Sequence, residues 1–179
     1  EYFVKQASHN HDLDCTVLRL TDCYGPGEDV HIMNKGMVSI FCSMAWKKEP
    51  IHSKGSKDRF RNFIHVVDVI NALNLVRCND MAIGEMFLLS TGKKITVERL
   101  ISAVCEGFDL PKEYPIIYEG STSGDTFGFH ADISKIKRTL GWRPSIGIED
   151  GIRGYAKYLS EIPVDADLSL YHPLRSTCG

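Results

Sequence analysis

Side chains able to do chemistry concentrate in two short segments, Arg19-Leu20-Thr21-Asp22-Cys23-Tyr24-Gly25-Pro26-Gly27 and Arg61-Asn62-Phe63-Ile64-His65-Val66-Val67-Asp68-Val69. Arg61 carries a planar, permanently charged donor fork, and Asp58 and Asp68 lie near enough in sequence to pair with it. His65 stands alone on a strand pattern, and a single imidazole so placed reads as a structural histidine rather than an acid or base. The 7 histidines form no i, i+4 or H-x-x-x-H arrangement, and no Ser/His/Asp triad follows from spacing. No G-x-x-G-x-x-G follows a strand, so the loop that cradles a dinucleotide is missing from these residues. None of the tyrosines has Lys four positions on: Tyr2 reaches Gln6, Tyr24 reaches Glu28 and Tyr155 reaches Leu159.

These groups must be held by one core. A chain of 179 residues with 43% apolar composition can bury one, and its length favours a single domain. A net charge of -2 leaves no electrostatic footprint for nucleic acid. Lys47-Lys48 and Lys93-Lys94 are too short to be more than solvated surface, with phosphate contact as the other reading. The 6 cysteines, at 15, 23, 42, 78, 105 and 178, show no C-x-x-C, which argues against a zinc site or a disulfide framework and for reduced thiols in a cytoplasmic protein. Cys42, Cys78 and Cys105 fall among apolar helix positions as packing residues, and Cys178 in an exposed tail. No apolar run nears the roughly 18 residues that a membrane span needs. The first residue is Glu, inside a helical pattern, and a cut chain is the expectation.

The elements alternate. Glu1 to His11 has helical spacing, and Cys15 to Leu20 reads as a buried parallel strand closed by the Tyr24-Gly25-Pro26-Gly27 loop. From Ile32 to Lys48, Met33, Met37, Ile40, Phe41 and Met44 recur at three and four, predicting an amphipathic helix whose Met face is core, stopped by Pro50. Lys54 to Asp58 is a polar turn and Phe60 to Val66 a strand. The helix after it, from Val67 to Val76, carries Val69, Ile70, Leu73 and Val76 on one face. Glu85 to Ser90 is a compact strand, Thr96 caps a helix bearing Val97, Leu100, Ile101 and Val104, and Pro115 to Tyr118 is a short strand. Asp132 caps a helix ended by Gly141, and Glu149-Asp150 open a last helix with Ile152, Tyr155, Ala156 and Leu159 inward. Beyond Ile162 the pattern fades. Strands alternating with helices imply an α/β architecture.

Several segments, in order, resemble the back half of the extended short-chain dehydrogenase/reductase family, the NAD-dependent nucleotide-sugar epimerases and dehydratases. The two segments quoted first are similar to its R-x-x-N-x-Y-G-P-G and R-D-F-I-Y/H-V-x-D-V. Phe87 to Gly92 resembles F-N-I-G-S-G, Ile95-Thr96-Val97 follows as I-T-V/I does, and Gly124-Asp125, Ala131 to Lys135 and Leu140 to Pro144 look like G-D, A-D-I-S-K and L-G-W-x-P. The resemblance runs from Glu1 to Leu159 and implies the last strands of a Rossmann-type parallel sheet plus the small α/β substrate-binding domain. Residues 1–30 would end the dinucleotide-binding domain, 31–162 form the substrate domain with interleaved strands, and 163–179 the tail. It places the family's Tyr-x-x-x-Lys just upstream of Glu1. In such enzymes that Tyr takes a proton from a sugar hydroxyl while hydride passes to NAD. On the same resemblance Leu20 and Thr21 lie near the nicotinamide of NAD, and Asp22, Asn34, Lys57, Arg61 and Asp125 face the nucleotide-sugar substrate. Arg61 matches the Arg that contacts phosphate or ribose, and Asp68 an Asp that caps the following helix.

Departures from the family pattern matter as well. The family's Asn, which donates to the substrate diphosphate, is Asp22 here, and an ionised carboxylate repels a diphosphate, so either another donor compensates or the ligand differs. Lys57 replaces a Gly and supplies a phosphate-seeking charge, whereas Gly120-Ser-Thr-Ser123 lacks the expected Arg. Three readings stay open: the substrate-binding part of a nucleotide-sugar enzyme, inactive by itself; a reductase or lyase of the same fold on a non-nucleotide substrate; and a non-catalytic interaction module. The parent is expected to be a homodimer, or this chain to self-associate through the uncovered edge of the Cys15 to Leu20 strand.

Overall fold

The computed structural model describes residues 1–28, 36–120 and 126–164. Helix α1 (Tyr2–His11) stops where Asp12 turns left-handed at φ 50°, and the chain enters β1 (Val17–Leu20) and then β2 (Asp22–Tyr24). Parallel pairing follows: β1 with β6 (Met86–Leu89), and β2 with β5 (Phe63–His65). The two ladders run into one another. Thr21 donates its N–H to Leu89 O at 3.1 Å, Asp22 to Asn62 O at 3.2 Å, and Thr91 to Phe63 O at 3.2 Å. Helix α3 (Val66–Arg77) leaves β5 directly, and with α5 (Ser134–Leu140) it closes a core of Ile64, Val69, Ala72, Phe87, Leu89, Ile136 and Trp142.

A second core lies among α2 (Met37–Trp46), α4 (Val97–Gly107) and α6 (Ile148–Ser160), around Phe41, Leu100, Ile101, Val104, Ile152, Tyr155 and Leu159. Apolar residues three and four apart on α4 and α6 give each helix one buried stripe, which supplies most of its stability. Beside them, β3 (Ile51–Lys54) pairs in parallel with β8 (Ile116–Glu119), and β4 (Phe60–Arg61) antiparallel with β7 (Ile95–Thr96). Caps sit where the residue types require. Thr96 Oγ1 accepts the Arg99 N–H at 3.1 Å, and Gly141 ends α5 at φ 68°. No helix of the described residues is long and apolar enough to cross a membrane.

Several local expectations shift. Helix α2 starts at Met37, because Gly36 before it is extended at ψ 152°; Ile32, Met33 and Asn34 lie outside the described residues. It ends at Trp46 rather than Lys48, where a left-handed Lys48 (φ 58°) turns the chain. The Phe60 to Val66 strand is two strands, interrupted at Asn62, which faces another partner. Periodicity turns Ile70 and Leu73 inward, yet they are 49% and 52% exposed, and the buried face of α3 is Asp68, Val69 and Ala72. The inward pull of Asp68, described below, sets that rotation. Cys42 is buried as packing requires, but Cys78, one residue past α3, is exposed. Strand β1 is half-buried rather than buried, since among the described residues only β6 pairs with it and Leu20 is 45% exposed.

Two glycines of α6 test this packing in opposite directions. A Cβ on buried Gly151 would collide with Tyr24 Oη and lie 3.1 Å from His65 Cδ2, whereas one on exposed Gly154 meets nothing within 4 Å. Urea denaturation should therefore find Gly151→Ala destabilised by about 2 kcal/mol or more. Gly154→Ala should gain about 0.5–1 kcal/mol through helix propensity.

Candidate substrate cleft

The geometry of the site begins at Asn62, which is fully buried. Its Nδ2 donates to Phe129 O at 2.5 Å, its Oδ1 accepts the Ala131 N–H at 3.4 Å, and its carbonyl takes the Asp22 N–H. A buried amide with both ends satisfied fixes the chain on either side of it. Arg61 is thereby set on β4, with Nη1 donating to Phe60 O at 2.9 Å, Thr126 O at 2.7 Å and Phe127 O at 3.4 Å. Phe60 anchors the same strand through its N–H to Phe127 O at 3.0 Å, an edge-on contact with the Phe127 ring, and Lys94 Nζ 4.9 Å over its own ring.

Three charged groups meet here. Asp22 opens β2 as the register partner of Phe63, two residues past Arg61; partial desolvation raises its pKa, and the Arg61 guanidinium pulls the other way. Arg59, buried two residues before Arg61, has its pKa lowered first by burial and then by the Arg61 charge. Arg59 also lines an open cavity of about 460 Å³ with Met37, Ile40, Phe41, Met44, His52 and Lys54. One wall of that cavity is apolar and its rim is basic. His52 Nδ1 lies 2.9 Å from Glu119 Oε1.

The sequence-predicted residues divide accordingly. Arg61 and Asp22 come together. Leu20 and Thr21 sit at the carboxyl end of β1, next to Asp22; Leu20 is half-exposed, and Thr21 is buried with Oγ1 donating to Leu89 O at 3.3 Å. Lys57 turns to α4, where Nζ lies 2.7 Å from Glu98 Oε1 at an exposed pair. Asn34 and Asp125 lie outside the described residues. Sequence reasoning missed Arg59, which falls between the Lys54 to Asp58 turn and the strand from Phe60, and Asn62, whose burial no periodicity announces. His52, on the exposed side of an alternating strand, was the remaining signal.

Asp68 is not the cap of α3. It is 1% exposed and accepts from the Ser145 N–H at 3.0 Å, Ser145 Oγ at 2.7 Å and the Ile146 N–H at 3.1 Å. The cap is His65, whose Nδ1 accepts the Val67 N–H at 3.3 Å while its ring lies edge-on to Tyr24 at 5.2 Å. Tyr24 in turn donates to Gly147 O at 3.4 Å, and burial raises its pKa so far that it stays a phenol. A smaller cavity of about 170 Å³ lies beside this latch, lined by Tyr24, Phe63, Thr91, Lys93 and residues 144–149. Among the described residues no cluster of His, Cys, Asp or Glu could hold a metal ion.

Comparison with known proteins bears on this geometry. The family model described as GDP-mannose 4,6 dehydratase matches residues 1–155. Similar proteins include dTDP-4-dehydro-6-deoxyglucose reductase of Escherichia coli, 28% identical over 75% of this chain and 42% of its own length. UDP-glucose 4-epimerase of Mycolicibacterium smegmatis is 28% identical over 85% of this chain and 47% of its own. Among solved structures, UDP-glucose 4-epimerase of Thermotoga maritima with UDP-glucose superposes with a TM-score of 0.80 at 29% identity, covering 89% of this chain and 50% of that one. The chain spans about half the length of the relatives it matches.

Two substitutions test the bracing residues. Asp68→Ala should lose roughly 2–4 kcal/mol, since hydrogen bonds to a charged group are removed and buried donors are left behind. A loss of unfolding free energy below one tenth of that, read from urea denaturation, would contradict the bracing role. Burial holds the His65 pKa below its ordinary value of 6.5, so the folded state favours the neutral ring. Its contribution is complete above the unfolded pKa and is lost as pH falls through the folded one. Between pH 7 and pH 5, approximately, stability should fall more steeply in the wild type than in His65→Gln, as read from parallel urea titrations.

Proposed function

Because the chain belongs to the GDP-mannose 4,6-dehydratase family of extended short-chain dehydrogenase/reductases, we propose that it binds the nucleotide-diphosphate end of a nucleotide-sugar substrate. The observation that carries this reading is Arg61, whose neighbour Asn62 is locked in place, two residues from Arg59, which lines a cavity with one apolar wall and a basic rim. Arg61 would meet the phosphates, as a planar fork suits, while Met37, Ile40 and Met44 offer a nucleobase an apolar face. Solved structures of this fold include a UDP-glucose 4-epimerase of Thermus thermophilus in complex with NAD. For this chain the nicotinamide end of NAD would lie beside Leu20 and Thr21. Their position at the carboxyl end of a parallel strand fits such a ligand, since ligands of open α/β sheets bind in the crevice there. When bound, NAD supplies hydride transfer. The chain's own residues bind and orient the substrate, and residues 1–30 belong to the dinucleotide-binding unit with 31–162 as the substrate unit.

The Gly-rich loop and the Tyr-x-x-x-Lys pair are missing from these 179 residues, so this chain alone is proposed to be inactive as an oxidoreductase. A second reading, a reductase or lyase acting on a non-nucleotide substrate, draws on one observation: the Asp22 carboxyl beside Arg61. For the isolated chain we also propose self-association through the β1 edge, since β1 offers its second side for pairing among the described residues.

Calorimetry with UDP, GDP and dTDP separates the first two readings. At least one nucleotide should bind, and Arg61→Ala should weaken it about tenfold, or about 1.4 kcal/mol. No heat from any of the three would favour the non-nucleotide substrate. Turnover of NAD with a nucleotide sugar at an enzyme-like rate would contradict inactivity. Sedimentation should show association rising with concentration, and a monomer throughout would remove the edge contact.

A further inference from the structure

All four residues of β8 are exposed, and three of them are large and apolar: Ile116, Ile117 and Tyr118, at 38%, 40% and 45%. Ile51 donates its N–H to Pro115 O at 3.0 Å and Gly55 to Glu119 O at 2.9 Å, so residues 115, 117 and 119 turn their backbone groups toward β3. Alternate residues of a parallel strand face opposite neighbours, which leaves the N–H and C=O of Ile116 and Tyr118 at the other edge. Among the described residues no strand meets them there. An apolar edge left open in this way is a template for another strand.

Ile116 and Tyr118 also line an open groove of about 700 Å³ between β8 and α4, where Ile101, Leu110 and Tyr114 add apolar surface. Tyr114 is held in place by its Oη, which donates to Glu49 O at 2.6 Å. Three carboxylates, Glu98, Glu106 and Asp109, line the groove against the one ammonium of Lys112. Glu98 pairs with Lys57, and Glu106 shares Arg99 with Glu149, whose contact is the shorter at 2.7 Å. Asp109 is exposed at a left-handed turn, φ 52°, with no ion pair among the described residues. Across residues 97–119 five acidic groups, Glu98, Glu106, Asp109, Glu113 and Glu119, stand against Arg99 and Lys112. That sign selects the occupant. A second copy pairing through β8 would bring two acidic rims together, whereas a cationic chain brings the opposite charge to the same edge.

We propose that β8 and the groove beside it are a docking site for an extended, cationic segment of another protein. The segment adds to β8 as a strand, with backbone bonds to Ile116 and Tyr118, apolar side chains over the groove, and Lys or Arg toward Asp109 and Glu106. The site shares no lining residue with the Arg59 cavity and stands apart from the nucleotide reading.

The test is fluorescence anisotropy of the full 179-residue chain with three labelled peptides. The first has three central valines flanked on each side by two lysines, the second replaces the lysines by glutamates, and the third is the lysine peptide methylated at its valine nitrogens. The lysine peptide should bind, and the other two should bind about tenfold more weakly or less. Its affinity should fall with added salt. Asp109→Asn keeps a residue type that tolerates the left-handed turn, and should weaken the lysine peptide about threefold. Amide resonances of Ile116 and Tyr118 should shift on its addition. Equal binding of the three peptides, no binding of the lysine peptide, or shifts that spare β8 overturns the proposal. So does movement of the Ile116 and Tyr118 resonances when the chain alone is diluted, since a second copy would then hold the edge.

Discussion

Asn62 has no contact with solvent, and its side-chain amide and its carbonyl are all engaged with chain from elsewhere in the sequence. Losing that set would leave buried donors and acceptors without partners, at a few kcal/mol in a protein whose whole margin is of the same order. The amide decides where the antiparallel β4–β7 pair stops and the parallel β2–β5 pair starts. It therefore decides where Arg61 stands relative to Asp22 and Arg59. Remove the constraint and the charged groups remain, but nothing aligns them.

A second brace works from the other side of β5. Asp68 grips residues 145 and 146, Tyr24 meets Gly147, and α6 begins at Ile148 with its buried stripe already aimed at α4. Gly151 admits the Tyr24 ring that a larger residue would exclude. In this latch Tyr24, part of the core around α4 and α6, meets His65 in a T-shaped contact. The candidate cleft lies apart from this latch, against the α2 side of one core, lined by Met37, Ile40, Phe41 and Met44 with Arg59.

Much of the architecture was legible in the sequence because apolar spacing is a local property. The stripes of α4 and α6, the Thr96 cap and the Gly141 stop follow from residue types at fixed offsets, and ordered motifs placed them in a family. What was not legible depends on partners distant in sequence. Asp68 looks like a helix cap until Ser145 and Ile146 arrive beside it, and its burial turns α3 so that Ile70 and Leu73 face outward. Likewise Arg59 belongs to no element in the sequence pattern, and it becomes part of the cleft only when α2 and β3 stand beside it.

The central claim is that the cavity lined by Arg59, with Arg61 two residues further along the chain, and not the smaller cavity beside Tyr24, receives the phosphates of a nucleotide. Nuclear magnetic resonance titration of the isotopically labelled chain with UDP tests it most directly. The account requires shifts at the Arg59 and Arg61 side-chain Nε–H signals and at the amides of Asp22 and residues 60–62. Shifts confined to Thr91, Lys93 and Gly147 would contradict it, because they would put the ligand in the other cavity.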